Sequence, residues 1–363
     1  MDNQVYNFSA GPACLAEPVL IAVKNAAIDY NDTGISLLAM SHRSKPVVDL
    51  FDETTSRLVS LLNIPDNYRI LWLQGGASLQ FSMVPMNLLN ENETADYVNT
   101  GAWSSKAVQE AHNFGSVHVA GSSESDNYTF IPKNLNQKSH SVYLHITTNN
   151  TIYGTQYHVI PKIKNQDGFL VADMSSDILS MPIDVTEFGL IYAGAQKNMG
   201  PAGVTLVVIR DDLIGRAERQ IPTMLDYATH ASKQSMFNTP PIFAVFMVNE
   251  TLKWIESIGG INAMAKRNQF KAKKLYDEIE RNSLFTSPVN LGDRSLMNVT
   301  FVFAGEELNE NEFLSFCAER NLVSLKGHRY VGGFRASIYN AMPESGVDAL
   351  ISVMQAYEQN HQT

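Results

Sequence analysis

Lys197 and Asp173 are the residues whose type and setting point first to chemistry. Lys197 lies between an apolar run, Gly189 to Ala193, and a Gly/Pro-rich stretch, Gly200 to Gly203. The flanking runs, Gly189 to Ala193 and Val204 to Ile209, read as buried strands. A lysine between them is poorly placed to serve as a solvating charge; its amine is expected at a strand end, partly desolvated. Burial disfavours the ammonium form, lowers the pKa and leaves a nucleophilic amine of the kind that captures carbonyl groups. Asp173 closes a second such run, Gly168 to Ala172. A pyridoxal 5'-phosphate site needs these two groups, a lysine to hold the aldehyde and a carboxylate to keep the pyridine nitrogen protonated so that the ring draws electrons. A structural ion pair at a sheet edge uses the same two residues. The pair alone leaves both readings open.

Other segments could complete a site. Leu73-Gln74-Gly75-Gly76-Ala77-Ser78-Leu79 falls between a strand and a helix, where glycines let backbone amides approach a phosphate and the helix N-terminus adds its dipole. It lacks the lysine of a nucleotide-binding loop and the third glycine of a dinucleotide fingerprint, and it also reads as a tight connection. Trp103 follows Thr100-Gly101-Ala102 at another strand-to-helix junction, where an indole stacks on a planar ring or simply fills the core. Thr151, in the polar loop Asn149 to Gly154, offers a hydroxyl to a ligand or caps a turn. Two cationic segments stand out, Ser41-His42-Arg43-Ser44 and Gly327-His328-Arg329, the latter followed by Arg335. The planar fork of arginine suits carboxylate and phosphate, so these segments read as a pocket for a doubly anionic ligand or as solvated basic loops.

The elements that must position these groups alternate. Helical spacing covers Glu17 to Tyr30, Pro46 to Leu62, Ser78 to Leu89 and Ala102 to His112. Strand-like runs fall at 69–73, 95–98, 117–119, 142–146, 169–172, 190–193 and 204–209. That order predicts an α/β fold, a mainly parallel sheet with helices on both faces. Long helical patterns at 240–258 and 261–279 lead into a second, smaller α/β unit: strand 297–303, helix 310–319, strands 323–325 and 334–338, helix 345–357. The organisation expected is an N-terminal arm (1–15), a large domain (16–258) and a small C-terminal domain (259–363), with ligands at the interface and at the carboxyl ends of the strands.

With 363 residues, 44% hydrophobic and 18% charged, the composition is that of an ordinary globular protein. A formal net charge of −10 argues against a nucleic-acid partner, since backbone binding needs a basic face. It leaves room for an anionic small molecule, because a local cluster of cations reverses the field within one cleft. The two cysteines, Cys14 and Cys317, match no disulfide framework or metal spacing and read as small buried side chains. No signal peptide or membrane-length apolar stretch is present, so a cytoplasmic location with no membrane partner is expected.

Taken together, Phe8-Ser9-Ala10-Gly11-Pro12, Ser41-His42-Arg43, Gln74-Gly75-Gly76-Ala77-Ser78, Ala195-Gln196-Lys197-Asn198, Asn238-Thr239-Pro240-Pro241 and Gly327-His328-Arg329 resemble, in order and spacing, the phosphoserine aminotransferases. These belong to the class V aminotransferase group of fold-type I pyridoxal phosphate enzymes, and the resemblance covers essentially the whole chain. It implies that Lys197 holds the cofactor and shuttles the proton, while Asp173 pairs with the pyridinium nitrogen. Trp103 would stack on the ring and Thr151 would bond the ring oxygen. Gly76, Ala77 and Ser78, with Gln196, would hold the cofactor phosphate, joined by Asn238 and Thr239 from a second subunit of a homodimer. Arg335 would grip the substrate α-carboxylate. His328 and Arg329, with His42 and Arg43 of the partner, would bind the phosphate of phosphoserine or the side-chain carboxylate of glutamate. Ser9 would lie near the substrate.

The activity implied is transamination between L-glutamate and 3-phosphonooxypyruvate, giving 2-oxoglutarate and O-phospho-L-serine. Some members also act on 4-phosphooxy-L-threonine, in vitamin B6 synthesis. Two departures appear. Ala77-Ser78-Leu79 stands where some members carry an arginine, and Asn149-Asn150 precedes Thr151 where others have a glutamate. The alternatives are a cysteine desulfurase-like lyase, which needs a mobile nucleophilic cysteine, and a non-catalytic cofactor-binding regulator, which would be expected to lose the substrate cations.

Overall fold

A seven-stranded sheet decides where the polar residues gather. The computed structural model describes residues 4–305 and 308–361; the first three residues of the N-terminal arm and the last two of the chain lie outside it. In chain order the strands are β1 (Tyr6–Asn7), β2 (Tyr68–Leu73), β3 (Thr94–Asn99), β4 (Ser116–Ser122), β5 (Tyr143–Thr147), β6 (Phe169–Asp173), β7 (Phe188–Gly194), β8 (Thr205–Arg210), β9 (Phe285–Thr286), β10 (Asn298–Phe303), β11 (Leu322–Val323) and β12 (Phe334–Ser337). The helices are α1 (Glu17–Ile28), α2 (Lys45–Leu62), α3 (Gly76–Leu88), α4 (Ala102–Ala111), α5 (Tyr227–Ser232), α6 (Ile242–Ser257), α7 (Gly260–Arg281), α8 (Glu310–Ala318) and α9 (Glu344–His361).

The large sheet has the order β2-β8-β7-β6-β5-β3-β4. Strands β3 to β7 pair in parallel, and β8 alone runs against its neighbours β7 and β2. Strand β2 therefore points the same way as β7. In consequence β2, β3, β5, β6 and β7 all end on one edge of the sheet, where ligands of such sheets bind.

Burial on both faces explains why these strands read as continuous apolar runs rather than as alternating ones. Along β6 and β7, Leu170, Ala172, Ile191 and Ala193 enter one core, while Phe169, Val171, Leu190 and Tyr192 enter the other. That is the two-residue period of a strand. The first core is closed by α2 and α6. In α2, Val47, Leu50, Phe51, Thr54, Leu58 and Leu62 form a buried stripe at helical spacing; Pro46 occupies the first turn and Asn63 (φ 50°) ends the helix in the left-handed region. The second core is closed by α3 and α4 through Phe81, Val84, Leu88 and Ala107.

A third core joins the antiparallel sheet β12-β10-β9 to α7, α8 and α9, with Phe285, Phe301, Phe313, Phe334 and Tyr357 at its centre. The expected strand at 323–325 departs from the sequence reading. It is the two-residue β11, and it pairs in parallel with β1 of the N-terminal arm (Tyr6 with Leu322, Asn7 with Val323). Two-residue strands carry no periodicity, and their partner lies some three hundred residues away in sequence. Phe8 follows into the same core, tying the arm to the C-terminal layer. Cys317 is buried as expected, but Cys14 is only half-buried, because it borders an open cavity beside the arm. Among the described residues no helix is long and apolar enough to cross a membrane.

Helix α7 bridges two cores: Ile261 and Met264 pack in the first, Ala272, Leu275 and Ile279 in the third. Between them Lys271 is fully buried, and its Nζ donates to the carbonyl oxygens of Ile338 (2.9 Å), Tyr339 (2.7 Å) and Met342 (3.0 Å). Three acceptors match the three donors of an ammonium group. The segment so held carries Asn340, whose backbone N–H donates to Oδ1 of Asn198, the residue after Lys197 (2.9 Å). Lys271→Met keeps much of the volume but leaves three buried carbonyls without their donor. It is expected to lower the unfolding free energy by about 3 kcal/mol, read from urea unfolding; a loss below about 1 kcal/mol contradicts this role.

Candidate active site

The loops that follow the five co-directed strands converge. Strand β2 runs into Gln74-Gly75-Gly76, β3 into Thr100 to Trp103, β5 into Thr148 to Thr151, β6 ends at Asp173, and β7 leads to Lys197. Lys197 Nζ donates to Thr151 Oγ1 at 2.8 Å and lies 5.3 Å from the centre of the Trp103 ring. The Thr151 carbonyl accepts from Arg335 Nη1 at 3.5 Å. Strand ends, a loop and β12 thus bring Lys197, Thr151, Trp103 and Arg335 together around one cleft.

Asp173 is buried, with Oδ1 accepting from both the backbone N–H and the hydroxyl of Ser175 (2.9 and 2.6 Å). Among the described residues no hydrogen bond reaches its Oδ2. The Ser175 hydroxyl also accepts from the Gly194 N–H at 3.0 Å, so one side chain couples the ends of β6 and β7. Burial pushes the Asp173 carboxyl above the usual range, against the pull of Lys197 and the Ser175 bonds. Burial pushes the Lys197 amine below its usual value; the Asp173 charge opposes this and the Arg335 charge reinforces it.

The turn before α3 has both glycines in the left-handed region, Gly75 at φ 92° and Gly76 at φ 66°. The helix therefore starts at Gly76 with the N–H groups of Gly76, Ala77 and Ser78 at its first turn, where no preceding carbonyl serves them. Gln196 folds toward this turn. A Cβ at Gly194 would stand 2.8 Å from Gln196 Oε1 and 3.4 Å from the Ala77 nitrogen, so a side chain there would displace the Gln196 amide from this turn. The arm closes over the same region: Ala13 N–H donates to the Gln196 carbonyl (2.9 Å), and Tyr339 Oη donates to the Ala10 carbonyl (2.8 Å), beside half-buried Ser9.

The cations are distributed unevenly. His328 is half-buried, and burial lowers its pKa, aided by the charges of Arg335, Arg329 and Lys106. Arg329 is exposed and lies over the Tyr330 ring, 5.1 Å from its centre. Lys106, one turn past Trp103 on α4, sits 4.6 Å from the indole centre. Among the described residues, none of Lys106, Lys197, Arg329, Arg335 or Arg43 forms an ion pair with a carboxylate. His42 and Arg43 lie elsewhere in the same chain. His42 Nδ1 is 3.2 Å from Thr239 Oγ1, while Arg43, Asn238 and Thr239 are exposed, and no hydrogen bond joins any of them to the Lys197 group among the described residues.

Sequence reasoning missed Ser175, Asp177 and Lys106. Ser175 stands two residues after Asp173, the spacing at which an aspartate bonds the backbone ahead of it. The spacing of Lys106 from Trp103 places both on one helix face. Asp177 carried no signal, since a buried acid in a polar loop reads as a surface acid. The loop neighbours of Thr151 are now fixed. Asn150 closes a turn on Thr155 and Gly154, and Asn149 bonds Ser176, Ser295 and Asn298.

Comparison with known proteins agrees with this geometry. The family model for aminotransferase class-V matches residues 5–350. A phosphoserine aminotransferase of Bacillus thuringiensis is 53% identical over 358 residues, 98% of this chain and 99% of that protein. The solved structure of the phosphoserine aminotransferase from Bacillus circulans subsp. alkalophilus superposes with a TM-score of 0.96 at 46% identity, covering 99% of this chain and 100% of the other. The PLP-bound enzyme of that name from Trichomonas vaginalis gives 0.92 at 37% identity, covering 97% and 100%.

The electrostatics of the cleft are open to test in cofactor-free protein. Arg335→Gln removes a like charge and is expected to raise the Lys197 pKa, whereas Asp173→Asn removes its counter-charge and lowers it further. NMR titration of the isotopically dimethylated lysine reads both; a Lys197 titration unmoved in either variant contradicts the assignment of causes.

Proposed function

The chain belongs to the class-V aminotransferase family, and on that premise we propose that it carries out the phosphoserine aminotransferase reaction of serine biosynthesis. L-Glutamate gives up its amino group to become 2-oxoglutarate, and 3-phosphonooxypyruvate accepts it to become O-phospho-L-serine. One observation carries the reading. A half-buried lysine of lowered pKa opens onto Arg335, His328, Arg329 and Lys106, and none of the charged members forms an ion pair with a carboxylate within the described residues. A chain of net charge −10 with ample carboxylates leaves these cations for anionic ligands.

The residues present fit pyridoxal 5'-phosphate. Among the described residues, Trp103 Nε1 and Arg335 Nε are buried without a partner, no hydrogen bond reaches Asp173 Oδ2, and the first turn of α3 presents free N–H groups beside Gln196. Gly76, Ala77, Ser78 and Gln196 would hold the phosphate, Trp103 would face the ring, Asp173 would meet the pyridine nitrogen and Thr151 the ring oxygen. Bound PLP supplies an electron-withdrawing ring that acidifies the substrate Cα–H. Lys197 Nζ, its pKa lowered by burial and its position set by Thr151, takes the Cα proton of glutamate, and in the second half-reaction it delivers a proton to Cα of the keto acid. Arg335 orients the α-carboxylate through its planar fork. His328 and Arg329 bind the distal anion, a carboxylate in one half and a phosphate in the other.

A homodimer completes this arrangement. Among the described residues no hydrogen bond joins His42, Arg43, Asn238 or Thr239 to the Lys197 group, and Thr239, which contacts His42, borders an apolar hollow lined by Leu37, Leu38, Met40, Pro241, Phe243 and Met247. Covered by a second copy, that hollow would carry the four residues to the neighbouring site. A lyase reading finds no support: Cys317 is buried in α8 and its thiol is pushed up to about 12 by burial, so it offers no thiolate. Two free thiols accord with a reducing, cytoplasmic setting.

Lys197→Ala is expected to abolish turnover of both half-reactions while leaving the thermal midpoint of the fold in place. Retained transamination removes the assignment. Arg329→Gln is expected to lower kcat/KM for phosphoserine by roughly 10- to 100-fold, the loss of one charge-assisted bond, with alanine unaffected as amino donor; an equal loss for both donors contradicts the role in reading the distal anion.

A further inference from the structure

Asp177 takes no part in the reaction as described, yet it is buried four residues beyond Asp173. Its Oδ1 lies 2.6 Å from Thr148 Oγ1, and its Oδ2 lies 3.2 Å from Gln156 Nε2. Thr148 Oγ1 is also 3.1 Å from the Asp173 carbonyl oxygen. A hydroxyl owns a single proton. With Asp177 ionised, that proton must serve a carboxylate and a carbonyl at once, and one of the two contacts is left as oxygen facing oxygen. With Asp177 protonated, its O–H donates to Thr148, Thr148 donates to the Asp173 carbonyl, and Gln156 still donates to Oδ2. Only this arrangement leaves no contact without a proton.

A cavity of about 260 Å³ lies on the other side of Asp177. Thr148, Tyr157, His158, Asp184 and Glu187 line it with Asp177, and the buried Tyr157 hydroxyl finds no partner among the described residues. It is roomy and polar enough for water, which gives Asp177 a route for proton exchange that avoids the cleft. The charged and titratable groups facing Asp177 are Asp173 and Lys197 toward the cleft, and Tyr157, His158, Asp184 and Glu187 across the cavity.

We propose that Asp177 is a neutral carboxylic acid in the resting protein and a positioning residue for Asp173. Its proton, passed through Thr148, adds to the Thr148 N–H bond (3.0 Å) that already holds the Asp173 carbonyl at the end of β6, and its neutrality leaves Asp173 as the single negative charge opposite Lys197. Ionisation of Asp177 at higher pH adds a second negative charge beneath the same site. Burial accords with this, pushing the carboxyl up to about 7, with the Asp173 charge adding to the rise and the Gln156 bond and the Lys197 charge opposing it. The protonation stands on the hydrogen-bond geometry; its consequence for the cofactor rests on the function proposed above.

Asp177→Asn reproduces the protonated pattern, since its amide donates to Thr148 and its carbonyl accepts from Gln156. A carboxyl titrating at about 7 when folded retains a proton that the unfolded chain, at about 3.9, has released. Stability contributed by that proton is lost as pH rises between those values and levels off above about 7. In cofactor-free protein the folding equilibrium constant of D177N relative to wild type is therefore expected to rise by about tenfold per pH unit from about pH 5 to 7 and then flatten. A ratio independent of pH overturns the neutral acid. In PLP-loaded protein the visible band of wild type is expected to show an inflection near the same pH that D177N lacks. Identical visible titrations, with the stability slope present, overturn the link to Asp173. If wild type takes up no PLP, the proposed function fails, while the stability slope still decides the proton. Should D177N not fold, Thr148→Val serves. Losing the oxygen that accepts the Asp177 proton is expected to move the same stability slope to lower pH, and a slope unmoved or moved to higher pH overturns the relay.

Discussion

An ammonium group on Lys197 is costly at the place this residue occupies, the buried end of β7 with Arg335 nearby. Much of the polar structure around it follows from that constraint. Thr151 accepts a hydrogen bond from the amine, and Asp173 supplies the opposing charge. Ser175 pins Asp173 and the Gly194 N–H together, so the carboxylate and the lysine cannot drift apart without breaking both strand ends. Asn198 and Asn340 fasten the residue after the lysine to the C-terminal layer, and Lys271 fixes Asn340 from behind. The large sheet creates the desolvated position and the second layer clamps it.

The same constraint organises charge at a larger scale. The exterior is acidic enough to give the chain its net charge of −10, and most of its lysines and arginines with close carboxylates sit in pairs such as Lys45–Asp49 and Arg216–Glu93. Around Lys197 the pattern reverses: among the described residues Lys106, Arg329 and Arg335 form no ion pair with a carboxylate. Field lines from such a cluster favour a doubly charged anion, and the planar forks of Arg329 and Arg335 accept carboxylate and phosphate alike. Ordering two different anions in turn requires fixed donors rather than a tailored pocket, and that is what the loop after β11 and strand β12 provide.

Much of this was legible in the sequence. Strands β5 to β8 are buried on both faces, so each stands out as an apolar run with its polar residue at the end, and Asp173 and Lys197 could be named from that alone. The helical stripe of α2 and the glycine pair before α3 were equally plain. Illegible features share one cause, polarity in buried positions. Lys271 sits in a helix rich in lysine and reads as a solvated charge, yet it is enclosed by carbonyls contributed from far along the chain. Asp177 and Thr148 look like loop residues until their distances are known. Pairing of β1 with β11 depends on a contact between the two ends of the chain, which no local pattern encodes. His42, Arg43, Asn238 and Thr239 were named through resemblance alone, and among the described residues no hydrogen bond joins them to the Lys197 group.

The most direct measurement is the visible absorption spectrum of the PLP-loaded protein before and after addition of L-phosphoserine, with L-serine as control. The account predicts that phosphoserine converts the yellow form to the pyridoxamine form while serine leaves it nearly unchanged. Such a result ties Lys197, the half-reaction and the cationic cluster together. A chromophore indifferent to phosphoserine contradicts the substrate assignment, and the lack of any chromophore after addition of PLP contradicts the role given to Lys197.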